Sequence, residues 1–403
     1  MTTTHATTSG THKVFTEGTH RVRPPEETWE AVRPLLPEYG ITRVADVTGL
    51  DTIGLPIAMA VRPLSKTLAV SQGKGQSALL AKLSAAMESI ELWYAEQAVP
   101  DPDIGIAPAR RLDLPYDLMD LAHEPGSMTD ARRELSWVLA VDLLSGSPVP
   151  LPLDAVRLNL EADRPWRPPG LQASSNGLGS GNTQTEALLH ALYEVVERDC
   201  LTQLDNSGHD CRLTIEPGTV AGGVSNRLVR LFDEAAVYLE IALVPNRWQV
   251  PCFVAYVWRE DFPVWSAGSG AHSSPDVALS RAITEAAHSR LTFITGTRDD
   301  LPALYHDDPR NRPCAPPDLI TYPDAVASYR TGFDDVTAEL TWLTGRISQA
   351  TGYAPLAVSL TDREELAVVR VVCPGLRLHA RHEIPRPVHT PRPTRRSTAP
   401  EPN

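Results

Sequence analysis

The sequence predicts a mixed fold in which long helices pack with short strands. Three observations support this prediction. Three helical segments each follow a glycine-rich stretch, short apolar runs of strand type lie between them, and acidic residues flank the apolar face of the helices. With 403 residues, the chain is long enough to form one large domain or two ordinary ones around an ample core.

The composition argues against several classes of protein. A formal charge of -13 and a pI near 5.4 argue against a general nucleic-acid binder, which normally shows a basic surface. No apolar run approaches the roughly 18 residues of a membrane span, and the first residues lack the apolar core of a signal peptide. The five cysteines include no C-x-x-C pair, which favours a reducing compartment. We therefore expect a soluble, cytoplasmic protein.

The N-terminal third of the chain begins with residues 1–23, which are rich in Thr, His and Gly and lack periodicity. We expect this segment to be a disordered tail. A short helix is predicted at 25–33, where Pro-Pro-Glu-Glu suits a first turn. Short strands are predicted at 41–47, 57–61 and 68–70.

The first long helix is predicted from Gln76 to Glu96, a stretch that is rich in Ala and Leu and lacks Gly and Pro. A polar stripe borders its apolar face, and two interpretations of this stripe stay open: surface glutamates, or carboxylates held at a site. The apolar face comprises Leu83, Met87, Ile90 and Tyr94. The polar stripe, at i, i+4 and i+7, comprises Ser84, Glu88 and Glu91. Glu96 lies outside this stripe, so we expect it to be unrelated to any site.

The middle of the chain contains a predicted surface excursion at 101–126 and a hairpin formed by 137–143 and 149–153. A second glycine-rich stretch, 175–182, leads into a second long helix, and the spacing of Thr183 and Glu186 is that of a capping box. One face of this helix carries Glu186, His190, Glu194 and Glu197, and Arg198 follows. A helix at 225–239 and strands at 241–245 and 252–258 come next.

The third occurrence starts at residues 268–272, where a glycine-rich stretch precedes Ser274 as N-cap and Pro275 at the first helical position. The helix runs to about residue 293. One face carries Arg281, Glu285 and His288, with Arg290 just beyond. A helix at 336–350 and a strand at 366–372 complete the globular part, and an extended Pro- and Arg-rich tail is predicted from residue 380.

Familiar nucleotide-binding and nucleophile motifs are absent. A Walker A loop around Lys74 would need Gly at Leu68 and Ser or Thr at Gly75. The Gly-x-Gly-x-Gly of 177–181 misses the dinucleotide-binding spacing. Cys200 and Cys211 are better interpreted as core thiols than as nucleophiles.

The repeated acidic stripes indicate a different kind of site. Isolated buried carboxylates would stay protonated or destabilise the fold, so a set of half-buried glutamates needs cations. Oxygen ligands presented in pairs suit Mg²⁺, which bridges to substrate phosphates. Glycine-rich loops at helix N-termini can donate backbone N–H groups to phosphate oxygens. The pattern predicts a nucleotide held through several Mg²⁺ ions.

Four segments of the chain resemble, in order, the signature blocks of YcaO-domain proteins. They are VTGLDTIGLPIAMAVRP, SQGKGQSALLAKLSAAMESIE, SNGLGSGNTQTEALLHALYEVVERD and ALSRAITEAAHSR. The resemblance covers about residues 40–378 and assigns 24–379 to a YcaO domain. It implies an α+β fold with internal pseudo-symmetric subdomains, in which mixed sheets pack with helices. It further implies an enzyme that uses Mg²⁺ and ATP to phosphorylate a backbone amide oxygen of a ribosomally made precursor peptide.

The resemblance also assigns roles to individual residues. The implied Mg²⁺ ligands are Glu88, Glu91, Glu194, Glu197 and Glu285. The implied ATP contacts are Lys74, Ser84, Asn182, Glu186, Arg198, His288 and Arg290. His288 stands where the family usually has Gln, a departure that could make nucleotide binding sensitive to pH.

The product and the partners stay open at this point. Side-chain attack on the activated amide gives an azoline, external sulfide gives a thioamide, and an amine gives an amidine. Azoline-forming members typically end on Pro-x-Pro-x-Pro, whereas this chain ends on Ala-Pro-Glu-Pro-Asn. We therefore favour a thioamide made with a separate TfuA-like or leader-binding partner, expect no nucleic-acid or membrane partner, and consider a homodimer. The alternative is a non-catalytic scaffold that binds nucleotide or another protein, although every acidic signature position is filled.

Overall fold

Helices and antiparallel strands alternate along the part of the chain that the computed structural model describes. That part comprises residues 11–97, 104–158, 168–172, 174–207, 211–297, 312–314, 316, 318–329, 332–378 and 384. The helices are α1 (Pro25–Val32), α2 (Ala78–Gln97), α3 (Gln184–Ser207), α4 (Gly223–Glu234), α5 (Pro275–Thr295), α6 (Tyr322–Val326) and α7 (Val336–Thr351). The strands are β1 (Arg43–Asp46), β2 (Ile57–Val61), β3 (Val70–Lys74), β4 (Gly105–Pro108), β5 (Glu134–Asp142), β6 (Pro148–Pro152), β7 (Leu178–Gly181), β8 (Leu213–Ile215), β9 (Tyr238–Leu243), β10 (Cys252–Arg259), β11 (Phe262–Ala271), β12 (Leu356–Ser359) and β13 (Ala367–Val372).

The described strands form three sheets, and one long helix covers each of them. The first sheet has the order β1-β2-β3 and carries α2. The second has the order β4-β5-β12-β13-β7, with β6 paired to β5, and carries α3 on β7 and β13. The third has the order β11-β10-β9-β8 and carries α5. In each case a strand leads directly into the covering helix: β3 into α2, β7 into α3 and β11 into α5.

The glycines before the three helices serve close packing between strand and helix. We predicted these glycine-rich stretches as loops, but most of their residues are strand residues paired in the sheets. A Cβ built on Gly73 would lie 2.0 Å from the backbone nitrogen of Ala85, and one on Gly268 would lie 2.2 Å from that of Ala286. The helix backbones therefore approach the strands more closely than any side chain would permit.

Substituting one of these glycines should destabilise the protein strongly. In Gly73→Ala the new methyl group would meet the α2 backbone, which cannot rotate away, so we expect a loss of at least about 1–3 kcal/mol of unfolding free energy. Gly49→Ala is the matched control, since a Cβ there meets no atom within 4 Å. Urea unfolding of both variants measures the difference. Equal midpoints would contradict the packing role.

Most predicted elements are present, and several boundaries differ. The predicted helix at 225–239 ends at Glu234, and residues from Tyr238 belong to β9. Residues 11–23, which we predicted as disordered, make defined contacts, whereas residues 1–10 lie outside the described part of the chain. The predicted tail beyond residue 380 also lies outside it, apart from residue 384. Cys200 is buried as expected, but Cys211 is exposed. Among the described helices, none is both long and apolar enough to cross a membrane.

Candidate functional site

Acidic side chains from three different helices act on one another at a partly buried position. Glu91 comes from α2, Glu194 and Glu197 come from α3, and Glu285 comes from α5. The charges of Glu88 and Glu194 act on Glu91, and those of Glu197 and Glu285 act on Glu194. The three strand-to-helix units therefore bring the predicted acidic stripes together into one group, which we call the carboxylate cluster (Glu88, Glu91, Glu194, Glu197 and Glu285).

Glu91 belongs to the part of the cluster that α2 supplies. Its carboxylate accepts a short hydrogen bond from the Ser180 hydroxyl at the end of β7. The pKa of Glu91 is raised to about 8, mainly by burial and also by the charges of Glu194 and Glu88, against the opposing effect of that hydrogen bond. Ser84 and Glu88 lie half-buried on the preceding turns of the same helix.

Helix α3 supplies two carboxyl groups in different surroundings. Burial raises the pKa of Glu194 to about 7, although the charge of Arg198 opposes this shift. Glu197 is only 7% exposed and accepts hydrogen bonds from the Ser269 hydroxyl at 2.5 Å and from the Ala271 amide at 3.1 Å. Burial lowers the pKa of Arg198, but the three neighbouring glutamates reverse this effect and raise it overall.

Helix α5 supplies Glu285, which is paired with a lysine side chain. Lys74, at the end of β3, lies 2.9 Å from its carboxylate. Burial alone would raise the pKa of Glu285, but the charges of Lys74 and Arg198 lower it to about 2. The charge of His288, one turn later on α5, acts in the same direction. This carboxylate is therefore ionised under all ordinary conditions.

Asn182 and Glu186 form a separate polar group at the start of α3. The Asn182 amide donates to Glu186 at 3.2 Å, and the Thr28 hydroxyl donates to the Asn182 carbonyl oxygen at 2.7 Å. Glu186 also accepts from the Val22 amide at 3.1 Å and lies 3.5 Å from Arg21. The Glu186 amide donates to the Thr183 hydroxyl at 3.2 Å, which is one half of the predicted capping box.

Arg290 is placed apart from these groups. Its guanidinium is 1% exposed and lies 3.1 Å from Asp51 and 3.2 Å from Asp261. It also donates to the Phe262 carbonyl oxygen at 3.3 Å. These contacts tie α5 to the segment before β2 and to the turn between β10 and β11.

Three residues to which we had assigned no role join the candidate site. Arg281, one turn before Glu285, interacts with Glu197, Glu285 and Glu194, and burial lowers its pKa. The helical spacing to Glu285 was the signal that could have identified it. Ser180 lies in a glycine-rich stretch, where no sequence pattern distinguished it from its neighbours. Arg21 carried no signal, because its segment lacks periodicity and its position depends on tertiary contacts.

The residues present fit a divalent cation and a polyphosphate. Two half-buried carboxyl groups have pKa values raised to about 7 and 8, and a bound cation would favour their carboxylate forms. Carboxylate oxygens are the ligands that Mg²⁺ prefers. Lys74, Arg198 and Arg281 place positive charge beside the acids, and the buried Nε of Arg198 has no hydrogen-bond partner among the described residues.

The raised carboxyl pKa values predict how the metal-free protein responds to pH. Between about pH 7 and 8 the folded state keeps a proton on Glu91 that the unfolded chain has already lost, so raising the pH through this window should lower the melting temperature. Histidine ionisation does not compensate there, because the unfolded histidines are largely neutral above pH 7. The Glu91→Gln variant should lack this part of the slope. Thermal melts from pH 6.5 to 8.5 measure it, and an identical slope in both proteins would contradict the prediction.

Comparison with known proteins gives the family of the chain. A family model described as a YcaO cyclodehydratase that binds ATP and Mg²⁺ matches residues 72–377. An uncharacterized protein of Mycobacterium tuberculosis is 38% identical over 379 residues, which cover 89% of this chain and 83% of the relative. An uncharacterized protein in the tfuA 3′ region of Rhizobium leguminosarum bv. trifolii is 38% identical over 294 residues, which cover 70% and 69%.

Solved structures share the fold. A heterocyclase in complex with substrate and cofactor matches with a TM-score of 0.71 at 20% identity, covering 91% of this chain and 54% of the heterocyclase. The chain therefore spans about half the length of that protein. YcaO from Methanopyrus kandleri, bound with AMPPCP and Mg²⁺, matches with a TM-score of 0.69 at 24% identity, covering 91% and 95%. The expected mixed fold of helices and sheets is confirmed.

Proposed function

Because this chain belongs to the YcaO family, whose members are described as ATP- and Mg²⁺-binding cyclodehydratases, we propose that it activates a backbone amide of a ribosomally made precursor peptide. In this reaction the amide oxygen takes up the γ-phosphoryl group of ATP and ADP leaves. The carbonyl carbon then becomes electrophilic and accepts a nucleophile, and phosphate departs with the former amide oxygen.

The observation that carries the proposal is the carboxylate cluster that α2, α3 and α5 build together. Glu88, Glu91, Glu194, Glu197 and Glu285 would hold Mg²⁺. When bound, Mg²⁺-ATP supplies the phosphoryl group and neutralises charge that develops on its oxygens. The protein contributes rigid placement, because each carboxylate stands on a helix packed closely against its own sheet.

Basic and polar residues beside the cluster would bind the rest of the nucleotide. Lys74 and Arg198 lie within the electrostatic reach of Glu285, so they are placed to exchange a carboxylate partner for a phosphate. Ser84, Asn182, Glu186 and His288 are proposed to complete the nucleotide contacts. Arg290 is proposed from the family resemblance alone, and it would have to give up Asp51 or Asp261 for that role.

The nucleophile is the finer part of the proposal. We favour a thioamide product made with a separate TfuA-like partner, and the relative in the tfuA 3′ region supports this choice. Azoline formation, the activity in the family description, is the second candidate and needs only a Cys, Ser or Thr side chain of the peptide.

Mass spectrometry of the reacted peptide tests the proposal. The purified protein is incubated with precursor peptide, partner protein, Mg²⁺-ATP and a sulfide source, and phosphate release is followed in parallel. Replacement of one oxygen by sulfur is expected for a thioamide, and loss of water identifies an azoline. Nucleotide binding without phosphate release or any change of peptide mass would favour a non-catalytic scaffold.

A further inference from the structure

Residues 11–22 form a segment that crosses the surface of the protein beside the proposed nucleotide site. We call this segment the strap. Its first residues are fixed at the start of α7, where the Val336 amide donates to the Thr11 carbonyl oxygen at 2.9 Å and the Lys13 amide donates to that of Asp334 at 2.9 Å. The strap is thus tied to an element that comes more than 300 residues later in the sequence.

The strap then reverses direction in a turn that approaches the connection between β3 and α2. Phe15 and Arg21 pair through two backbone hydrogen bonds of 3.0 and 2.9 Å, which close the turn. Gly18 at its tip has a φ of +72°. A Cβ built there would lie 3.2 Å from the side chain of Gln76, in the connection between β3 and α2. The strap therefore spans from α7 to the end of β3, where Lys74 is located.

The arm of the strap that follows the turn contacts the proposed nucleotide site directly. The Val22 amide donates to Glu186 at 3.1 Å, and the Arg21 guanidinium lies 3.5 Å from the same carboxylate. The positive charge of Arg21 also acts on Glu91 and on Arg281. Arg21 thus lies within electrostatic reach of the carboxylate cluster.

A buried ion pair fixes the arm that precedes the turn to α7. The Lys13 ammonium lies 2.7 Å from Glu339 on α7, and the two side chains are 3% and 0% exposed. The same carboxylate accepts hydrogen bonds from the hydroxyls of Tyr193 and Ser273, so its negative charge is well stabilised in place. A buried pair of this kind is costly to break on one side only, because the remaining charge is left without a partner.

A metal site is the competing interpretation of this region, since ligand atoms of His20, His272 and Glu339 lie within 4.8 Å of one another. Two contacts argue against it. Lys13 already supplies the positive charge at Glu339. In addition, His272 Nδ1 accepts a hydrogen bond from the Ser274 amide at 3.0 Å, which leaves the ring proton on the nitrogen that faces Glu339 at 3.9 Å. That nitrogen therefore has no free lone pair for a metal.

We propose that the strap is a closure over the nucleotide site, held by the Lys13–Glu339 pair, and that it slows the release of bound nucleotide. The inference rests on the proposed function, because it takes the carboxylate cluster as the nucleotide site. With the strap in place, Arg21 and Val22 contact Glu186 and cover that end of the site. Nucleotide enters and leaves when the strap lifts, which requires the buried pair to separate.

Stopped-flow release of a fluorescent ATP analogue in the presence of Mg²⁺ tests the strap. In the double variant Lys13→Met/Glu339→Gln both charges are removed together, so no unpaired buried charge remains to unfold the protein. We expect its dissociation rate constant to rise at least about tenfold over the wild type. The matched control is Glu17→Gln/Arg227→Gln, which removes an exposed pair of the same strap at 3.8 Å and should leave the rate unchanged.

Amide hydrogen exchange of the wild type provides an independent measurement. Binding of a non-hydrolysable ATP analogue with Mg²⁺ should slow exchange at residues 13–22. Nucleotide binding with equal release rates in all three proteins, or with unchanged exchange of the strap, would overturn the inference while leaving the proposed function intact. Absence of any Mg²⁺-nucleotide binding by the wild type would instead overturn the proposed function, and the strap inference with it.

Discussion

Glu194→Gln is expected to lower ATP turnover at least about 100-fold while leaving the fold intact. The amide keeps the shape of the side chain but cannot supply the negative charge that a Mg²⁺ ligand provides. In the metal-free protein, burial and the charges of Glu197 and Glu285 raise the pKa of this carboxyl to about 7 against the opposing effect of Arg198. Removing one like charge from the cluster should therefore leave the melting temperature unchanged or higher.

The control for this experiment has to be an exposed helical glutamate. Glu234 at the end of α4 fits this requirement, and Glu234→Gln should change neither turnover nor unfolding free energy by a measurable amount. Phosphate release and thermal melts are compared for the two variants and the wild type. Equal turnover in Glu194→Gln and Glu234→Gln would remove the main support for a Mg²⁺ site at the carboxylate cluster.

Arg62→Met is expected to lower the unfolding free energy by about 3–5 kcal/mol. Arg62 and Glu96 form a buried pair with two hydrogen bonds of 2.6 and 2.7 Å, and both side chains are at most 3% exposed. Glu96 also accepts from the Thr67 hydroxyl at 2.5 Å. Removing the guanidinium alone would leave a buried carboxylate without its cation, at the point where α2 is fixed to the chain after β2.

The double variant Arg62→Met/Glu96→Gln separates the ion pair from simple loss of packing. Because it removes both charges, it should recover most of the stability lost in Arg62→Met. Chemical denaturation of the wild type, the single variant and the double variant provides the comparison. A double variant as unstable as Arg62→Met would show that packing of the arginine stem, and not charge, holds this end of α2. Glu96 is thus unrelated to the carboxylate cluster, as expected, but its structural role makes it unsuitable as a neutral control.

The three acidic stripes could be predicted from local sequence, because helical periodicity is a local property. Segments rich in Ala and Leu, without Gly or Pro beyond the first turn, form α2, α3 and α5 once one face is covered. The i, i+4 spacing then places the glutamates beside the apolar stripe. The resemblance to the YcaO blocks depends on the same residues. Helix starts after glycine-rich stretches were also predictable, although the role of those glycines was not.

Tertiary structure decided what those residues face. The predicted loops are largely strand residues paired in the sheets, and their glycines leave room for a helix backbone that an added Cβ would meet. Arg290 follows Glu285 by five residues on α5, yet it points to Asp51 and Asp261, partners that no helical period indicates.

The order of residues 11–22 likewise depends on contacts that local sequence does not encode. Lys13 is paired with Glu339 and Arg21 with Glu186, so each arm of the strap is fixed by a residue from a distant helix. A segment without periodicity buries too little apolar surface to order itself. Local sequence therefore determined the helices and the acids that they carry. The packing of three separate sheets and helices brings together charges from distant parts of the chain. Only this packing decided which of those acids meet and that the strap lies beside them.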